Sequence, residues 1–206
     1  MSEIRTPYGA AGLQLDEGIP TGITRIGQQL DQITGQLHGR LWELSYRGQL
    51  YFACSQAATT TTIALDTTYT GLCLSNPAAS GKVLEVHRVG VALSVAPVAE
   101  ATISLAGGYA AAGVTTHTTP LTVYSTKLGT SAAAAVAKAD GAATIVGTPL
   151  DIMPLMGAGA AGEEIPMPGY FNIDGAVCIP AGGYVFIESL TVVVGFFGIW
   201  WSEWPA

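Results

Sequence analysis

The sequence predicts an all-β domain of two packed sheets preceded by an N-terminal arm, and three observations point there. Turn-forming residues are dense, with 26 glycines and 11 prolines in 206 residues, and they are spread between short Val/Ile/Thr/Tyr runs rather than gathered in one linker. From about residue 51 the apolar residues recur with a period of two, the repeat of a strand that faces a core on one side. Only 11% of residues are charged, against about 25% in an ordinary soluble domain, so much of the surface is expected to be covered by another molecule.

Residues 1–50 differ from the rest. They hold four of the eight basic residues, Arg5, Arg25, Arg40 and Arg47. Ile26, Leu30, Ile33, Leu37, Leu41 and Leu44 recur at helical spacing, but Gly27, Gly35 and Gly39 weaken such a helix by roughly 1 kcal/mol each. The preferred reading of 1–50 is an extended or partly helical arm that orders against a partner, its four arginines suited to bidentate contacts there.

Residues 51–206 are read as the sandwich. Strands are expected at 62–66, 69–74, 82–95, 101–105, 121–125, 143–146, 169–172, 177–179, 184–190 and 195–201, separated by turn signals such as Ser75-Asn76-Pro77 and Pro180-Ala181-Gly182-Gly183. The alanine-rich 131–140 segment is too short for a stable helix and reads as loop. In 82–95, Val89, Val91, Leu93 and Val95 share a face with Glu85 and His87. That strand is therefore expected to leave the core at its N-terminal end, bending at Gly90. The closing strand is apolar on both faces. Phe196, Phe197, Ile199, Trp200, Trp201 and Trp204 are accordingly expected at a subunit interface.

The composition excludes several functions. With 15 acidic and 8 basic residues, a net charge of −7 and no Lys/Arg cluster, no nucleic-acid partner is expected. Glu3 and Arg5 stand where a secretory signal needs a basic start and an apolar run, so no signal is expected. The longest apolar stretch, residues 190–201, is too short for a spanning helix, and no membrane partner is assigned. Cys54, Cys73 and Cys178 lack CxxC spacing and read as free, buried, strand-borne thiols of a chain made in a reducing cytoplasm.

Motifs that carry chemistry fail on their context. Gly157-Ala158-Gly159-Ala160-Ala161-Gly162 matches a dinucleotide-binding pattern, but Pro154, Pro166 and Pro168 leave no helix for a pyrophosphate. The 76–82 loop lacks the first glycine and the hydroxyl residue of a phosphate-binding loop, leaving a tight turn with Lys82 solvated. Glu85 and His87 are two groups where a metal site needs more, and they read as a solvated or intersubunit pair. His38, His87 and His117 sit in no triad signature, and Glu163-Glu164 falls in a solvated loop. No catalytic, cofactor-binding or metal-binding residue is assigned, and the chain is read as a non-enzyme.

Three segments resemble a known group: 69–82 (YTGLCLSNPAASGK), 179–184 (IPAGGY) and the closing Trp200-Trp201-Ser202-Glu203-Trp204. They are similar to small jelly-roll capsid cement or decoration proteins of tailed bacteriophages, over roughly residues 51–204. The resemblance implies a jelly-roll β-sandwich, a homo-oligomer and usually a homotrimer. It also implies a place on the virion capsid surface, with the major capsid protein as partner and no catalytic residues. The rival reading is a trimeric receptor- or carbohydrate-binding head of a phage fibre, which would display an exposed aromatic and polar pocket.

Overall fold

A computed structural model describes residues 40–61, 67–160 and 166–206 in full, and the backbone alone of 24–26 and 32–34. The chain divides into two compact units, Met1–Glu43 and Leu44–Ala206, so the division falls before residue 50. In the first unit β1 (Thr24–Ile26) pairs antiparallel with β2 (Gln32–Thr34), Thr24 opposite Thr34. The continuous helical face through Ile26 and Ile33 is thus replaced by strands. Among the described residues helix appears only as α1 (Arg40–Tyr46), downstream of Gly39, and it ends where Gly48 N donates to Ser45 O and Gln49 N to Leu44 O. The rest of the expected arm, Arg5 included, lies outside the described residues.

The second unit is an all-β sandwich. In chain order its strands are β3 (Leu50–Cys54), β4 (Thr59–Thr60), β5 (Thr68–Ser75), β6 (Lys82–Leu93), β7 (Ala101–Tyr109), β8 (Val114–His117), β9 (Pro120–Leu121), β10 (Tyr124–Ser125), β11 (Lys138–Ile145), β12 (Leu150–Ala158), β13 (Gly169–Ile179), β14 (Gly183–Ser189) and β15 (Val194–Pro205). One sheet runs β10-β3-β15-β6-β13, with β4 on β15; the other runs β12-β7-β14-β5-β11-β8, with β9 on β11. Without the additions, the orders are β3-β15-β6-β13 and β5-β14-β7-β12, and every pairing is antiparallel. Eight strands that switch sheets in this sequence make the two Greek keys of a jelly roll. The segment between β7 and β12 supplies β8 to β11 and extends both sheets beyond β3 and β5.

Burial follows the period of two. Leu72, Leu74, Ile103, Leu105, Val185 and Ile187 of one sheet meet Leu84, Val89, Val91, Phe197, Ile199 and Trp201 of the other in a shared core. The intervening residues Cys73, Ala106, Tyr184 and Phe186 join Tyr69 and Ile145 in a second buried cluster on the opposite face of the β12-to-β8 sheet.

β6 departs from the expected bend. It stays in the core throughout, because the pairing slips at one residue. Arg88 faces Trp200 and Asn172, while Val86 faces Trp201 and Val177, so His87 has no counterpart on β15 and four residues, 173–176, opposite it on β13. This bulge changes the parity, letting Leu84 and Val86 point inward together with Val89 and Val91. On β13 the excess is taken up by Asp174 and Gly175 at φ of 49° and 82°. A Cβ on Gly175 would lie on the Glu85 carboxylate.

Of the expected 131–140 loop, residues 138–140 belong instead to β11; residues 131–137 are loop, and a carboxylate holds them down. Glu203 is buried near the end of β15. It accepts hydrogen bonds from Val136 N and Ala137 N at 3.0 Å, from Trp201 Nε1 at 3.3 Å and from Lys82 Nζ at 3.0 Å. Lys82 is therefore paired rather than solvated. The loop before it is the tight turn the sequence suggests, tied down where Asn76 Nδ2 donates to Lys82 O and Ile179 O at 2.8 and 2.9 Å.

Candidate functional site

Alternation along β15 decides which aromatics are available to a partner. Phe197, Ile199 and Trp201 fill the protomer's own core, so their expected place in a subunit interface is corrected. Phe196, Trp200 and Trp204 point to the other face. There the register builds two rows across the sheet: Cys54, Gly198, Gly90 and Tyr170 in one, and Tyr124, Phe52, Trp200, Arg88 and Asn172 in the next.

The second row is a stack. The rings of Tyr124 and Phe52 lie 5.5 Å apart and those of Phe52 and Trp200 6.3 Å apart, with interplanar angles of 27° and 19°. Such cross-strand aromatic pairs stabilise a sheet by roughly 0.2–1 kcal/mol each. The row ends in Arg88, whose Nε donates to Asn172 Oδ1 at 3.0 Å. Tyr170 meets Trp200 edge-on, at 6.2 Å and 64°.

The first row has glycine at its centre because the Trp200 ring needs the space. A Cβ at Gly198 would come within 2.7 Å of Cys54 Sγ and 3.0 Å of the Trp200 ring; at Gly90 it would stand 3.2 Å from Tyr170 and 3.3 Å from Trp200. The result is a groove of about 120 Å³ with Gly90 and Gly198 as its floor and Pro168, Tyr170, Phe196 and Trp200 around it. Its rim is strongly exposed: Tyr170 retains 70% of its surface and Phe196 45%, while Tyr124, at the far end of the stack, retains 41%. An exposed aromatic surface of this kind marks an interaction site more often than a scattering of single apolar residues does.

Below the rows, the Glu85 and His87 pair is neither solvated nor alone. His87 is buried, its Nε2 2.9 Å from Ser202 Oγ and 4.0 Å from Glu85 Oε2. Trp204 Nε1 donates to Glu85 Oε2 and to Ser202 Oγ, each at 2.9 Å. Ser202 is itself fully buried, so this set locks the end of β15 to β6 and offers no nucleophile to a substrate.

Two titratable pairs lie on the other sheet. His117 Nδ1 stands 2.7 Å from Asp140 Oδ2. Burial lifts the Asp140 carboxyl above its ordinary value, with His117 opposing in part. The neighbouring Cys73 thiol is raised far by burial, which keeps it protonated and unreactive. Cys73, Cys54 and Cys178 are all free and all on strands, but only Cys73 is buried, and Cys178 is exposed. Glu188 is buried with Asp151 beside it, and burial first, then the Asp151 carboxyl, push its titration from 4.5 up to about 7. A folded-state value above the unfolded one means stability is fully present below about pH 4.5 and is lost as pH rises through 7. The urea midpoint is therefore expected to fall between about pH 5 and pH 8, and Glu188→Gln to flatten that fall. Equal pH slopes in the two proteins would remove Glu188 as the cause.

The expected arm contacts are reported only in part. Arg40, at the start of α1, and Arg47, just after it, are exposed; Arg25 has its backbone in β1. His38 and Glu163-Glu164 also fall outside the described residues. Among the described residues no group of three His, Cys, Asp or Glu is placed to hold a metal ion, and no helix is long and apolar enough to cross a membrane. Sequence reasoning missed Phe52, Tyr124, Tyr170, Arg88 and Asn172. Nothing along the chain marks them, since their alignment into rows depends on which strands become neighbours. Comparison with family models, curated proteins and solved structures finds no match to this chain.

Proposed function

We propose that this chain is a structural virion protein without catalytic activity, a capsid cement or decoration protein that associates with copies of itself. In this reading it binds a shell of major capsid subunits and clamps neighbours together. The observation that carries the reading is the uncovered aromatic face of the β10-to-β13 sheet. It has the composition of an interface core, aromatic-rich and nearly free of charge, in a chain where charge is scarce throughout. Its placement on a sheet built from strands distant in sequence gives it a rigid base. Many modest contacts repeated over a shell then add up to a large resistance to rupture. Neither nucleic acid nor membrane is needed as a partner.

The test is co-sedimentation of the purified protein with candidate capsids, scored against the melting temperature of the decorated shell. Decorated shells are expected to melt higher, and replacing Arg5, Arg25, Arg40 and Arg47 together by alanine to reduce capsid retention while leaving the mass in solution unchanged. Absence of binding to any capsid would sink the cement reading. The groove beside the Arg88–Asn172 pair favours one second reading, a glycan-binding fibre head, because an aromatic wall with adjacent amide and guanidinium donors suits a sugar ring. Binding on a glycan array that Tyr170→Ala abolishes would select it.

A further inference from the structure

We propose that the cleft between β9 and the start of β11 binds a small apolar molecule bearing one hydroxyl group, of the class of simple phenols, with His117 Nε2 accepting from that hydroxyl. The inference is independent of the capsid reading, and the cleft shares no residue with the aromatic groove. Its polar end is built by a register break. His117 lies opposite Ala143 and Pro120 opposite Asp140, and residues 140 and 143, three apart, would point to opposite faces of a regular strand. The pairing of β11 shifts between Asp140 and Ala142, and Gly141 N donates to Thr119 O at 2.7 Å. The shift changes the parity, so the two side chains meet. His117 Nδ1 then stands 2.7 Å from Oδ2 of an Asp140 carboxyl that is completely buried.

The carboxylate decides what the cleft recognises. Burial lifts Asp140, but the His117 hydrogen bond and the His117 and Lys138 charges oppose it, and imidazole is ordinarily a stronger base than carboxylate. The proton between the pair therefore rides on Nδ1, and Nε2 turns a lone pair away from Asp140. The His117 side chain is 27% exposed and lines the cleft. Among the described residues Asp140 Oδ1 has no hydrogen-bond partner, which puts a second acceptor beside the first. A polar end that only accepts calls for a ligand that donates. The exposed Lys138 amine on the same cleft disfavours an ammonium and leaves a hydroxyl as the donor. The other walls are apolar: Pro120, Leu121, Val123, Ala137 and Ala139. The volume is about 250 Å³. A cavity of roughly 150 Å³ holds benzene, and drug-sized ligands need roughly 300 Å³ or more, so the cleft suits one substituted ring.

The test is a titration of 4-fluorophenol into the purified full chain, followed by fluorine NMR. A dissociation constant of about 1 mM is expected, the level that so small a ligand reaches. The analogue 4-fluoroanisole, whose methyl group blocks the hydroxyl, is expected to bind about tenfold more weakly. The ring-proton resonances of His117 are expected to move as the site fills. Leu121→Trp, at a half-buried position of the short strand β9, fills the cleft and is expected to abolish binding. The double variant His117→Phe/Asp140→Leu exchanges the pair for apolar groups without leaving a buried charge, and is expected to bind the phenol and the anisole alike. An unperturbed 4-fluorophenol signal at several times the expected dissociation constant would overturn the proposal. So would equal affinity of the parent chain for the two probes, full binding by folded Leu121→Trp, or a double variant that still prefers the phenol. Loss of binding in Tyr170→Ala would also overturn it, by assigning the phenol to the aromatic groove.

Discussion

Glu203→Ala is expected to lower stability by about 3 to 5 kcal/mol, a large part of the roughly 5 to 15 kcal/mol that holds a domain together. The carboxylate accepts from two backbone amides of the 131–137 loop, from the Trp201 indole and from Lys82. Alanine leaves the Val136 and Ala137 amides and the indole without an acceptor, and an unmade bond at a buried donor costs about 1 to 3 kcal/mol. The loss of Lys82 counts for less, because its side chain is partly in water. At roughly 2 to 4 °C per kcal/mol for a domain of this size, the melting temperature drops by about 10 °C. Glu203→Gln keeps one acceptor oxygen and turns a donor toward Val136 N, so it falls between alanine and the parent. Urea unfolding measures the loss, and amide exchange shows where it acts, with Val136 and Ala137 accelerated first. An alanine variant within about 1 kcal/mol of the parent would show that the loop is held by its apolar contacts alone.

The adjacent tryptophans Trp200 and Trp201 are expected to behave oppositely. Trp201 is fully buried against Tyr51, ring centroids 6.2 Å apart. Trp201→Ala empties the largest side chain of the core and costs about 3 to 5 kcal/mol. Trp200→Ala removes a ring from the outer stack, where about 1 kcal/mol is at stake. Because Trp201 donates to Glu203, the double variant Trp201→Ala/Glu203→Ala is expected to lose less than the sum of the singles. Stability loss of equal size in the two single tryptophan variants would would mean that β15 is set in the opposite phase.

How much of this was legible follows strand by strand. The segments 69–74, 184–190 and 195–201 lie within β5, β14 and β15, apart from Leu190, because alternation flanked by Gly, Pro and Asn is a local signal. The expected 121–125 strand is two short ones, β9 and β10, which serve different sheets. The segments 169–172 and 177–179 are one strand, β13, since a bulge at Asp174-Gly175 looks like a turn when read along the chain. The strand β12 was missed because Pro154 and the Gly157-Ala158-Gly159 run read as loop. Pro154 is tolerated there because β12 is at the margin of its sheet, where one side needs no ladder bond. The strand expected at 62–66 falls on residues outside those described.

Local chemistry alone determined that this chain is built of strands and that its last strand is apolar on both sides. A period of two states which residues share a face but carries no information about which face turns to the opposing sheet. That choice came from tertiary pairing, in which β15 lies between β3 and β6, and it put Trp201 in the core and Trp200 on the surface. The bulge at His87 did the same for β6, since a one-residue slip exchanges inside for outside and is visible only when the neighbouring strand is in place. The aromatic rows and the glycine-floored groove exist only across strands far apart in the sequence, so tertiary structure alone could assemble them.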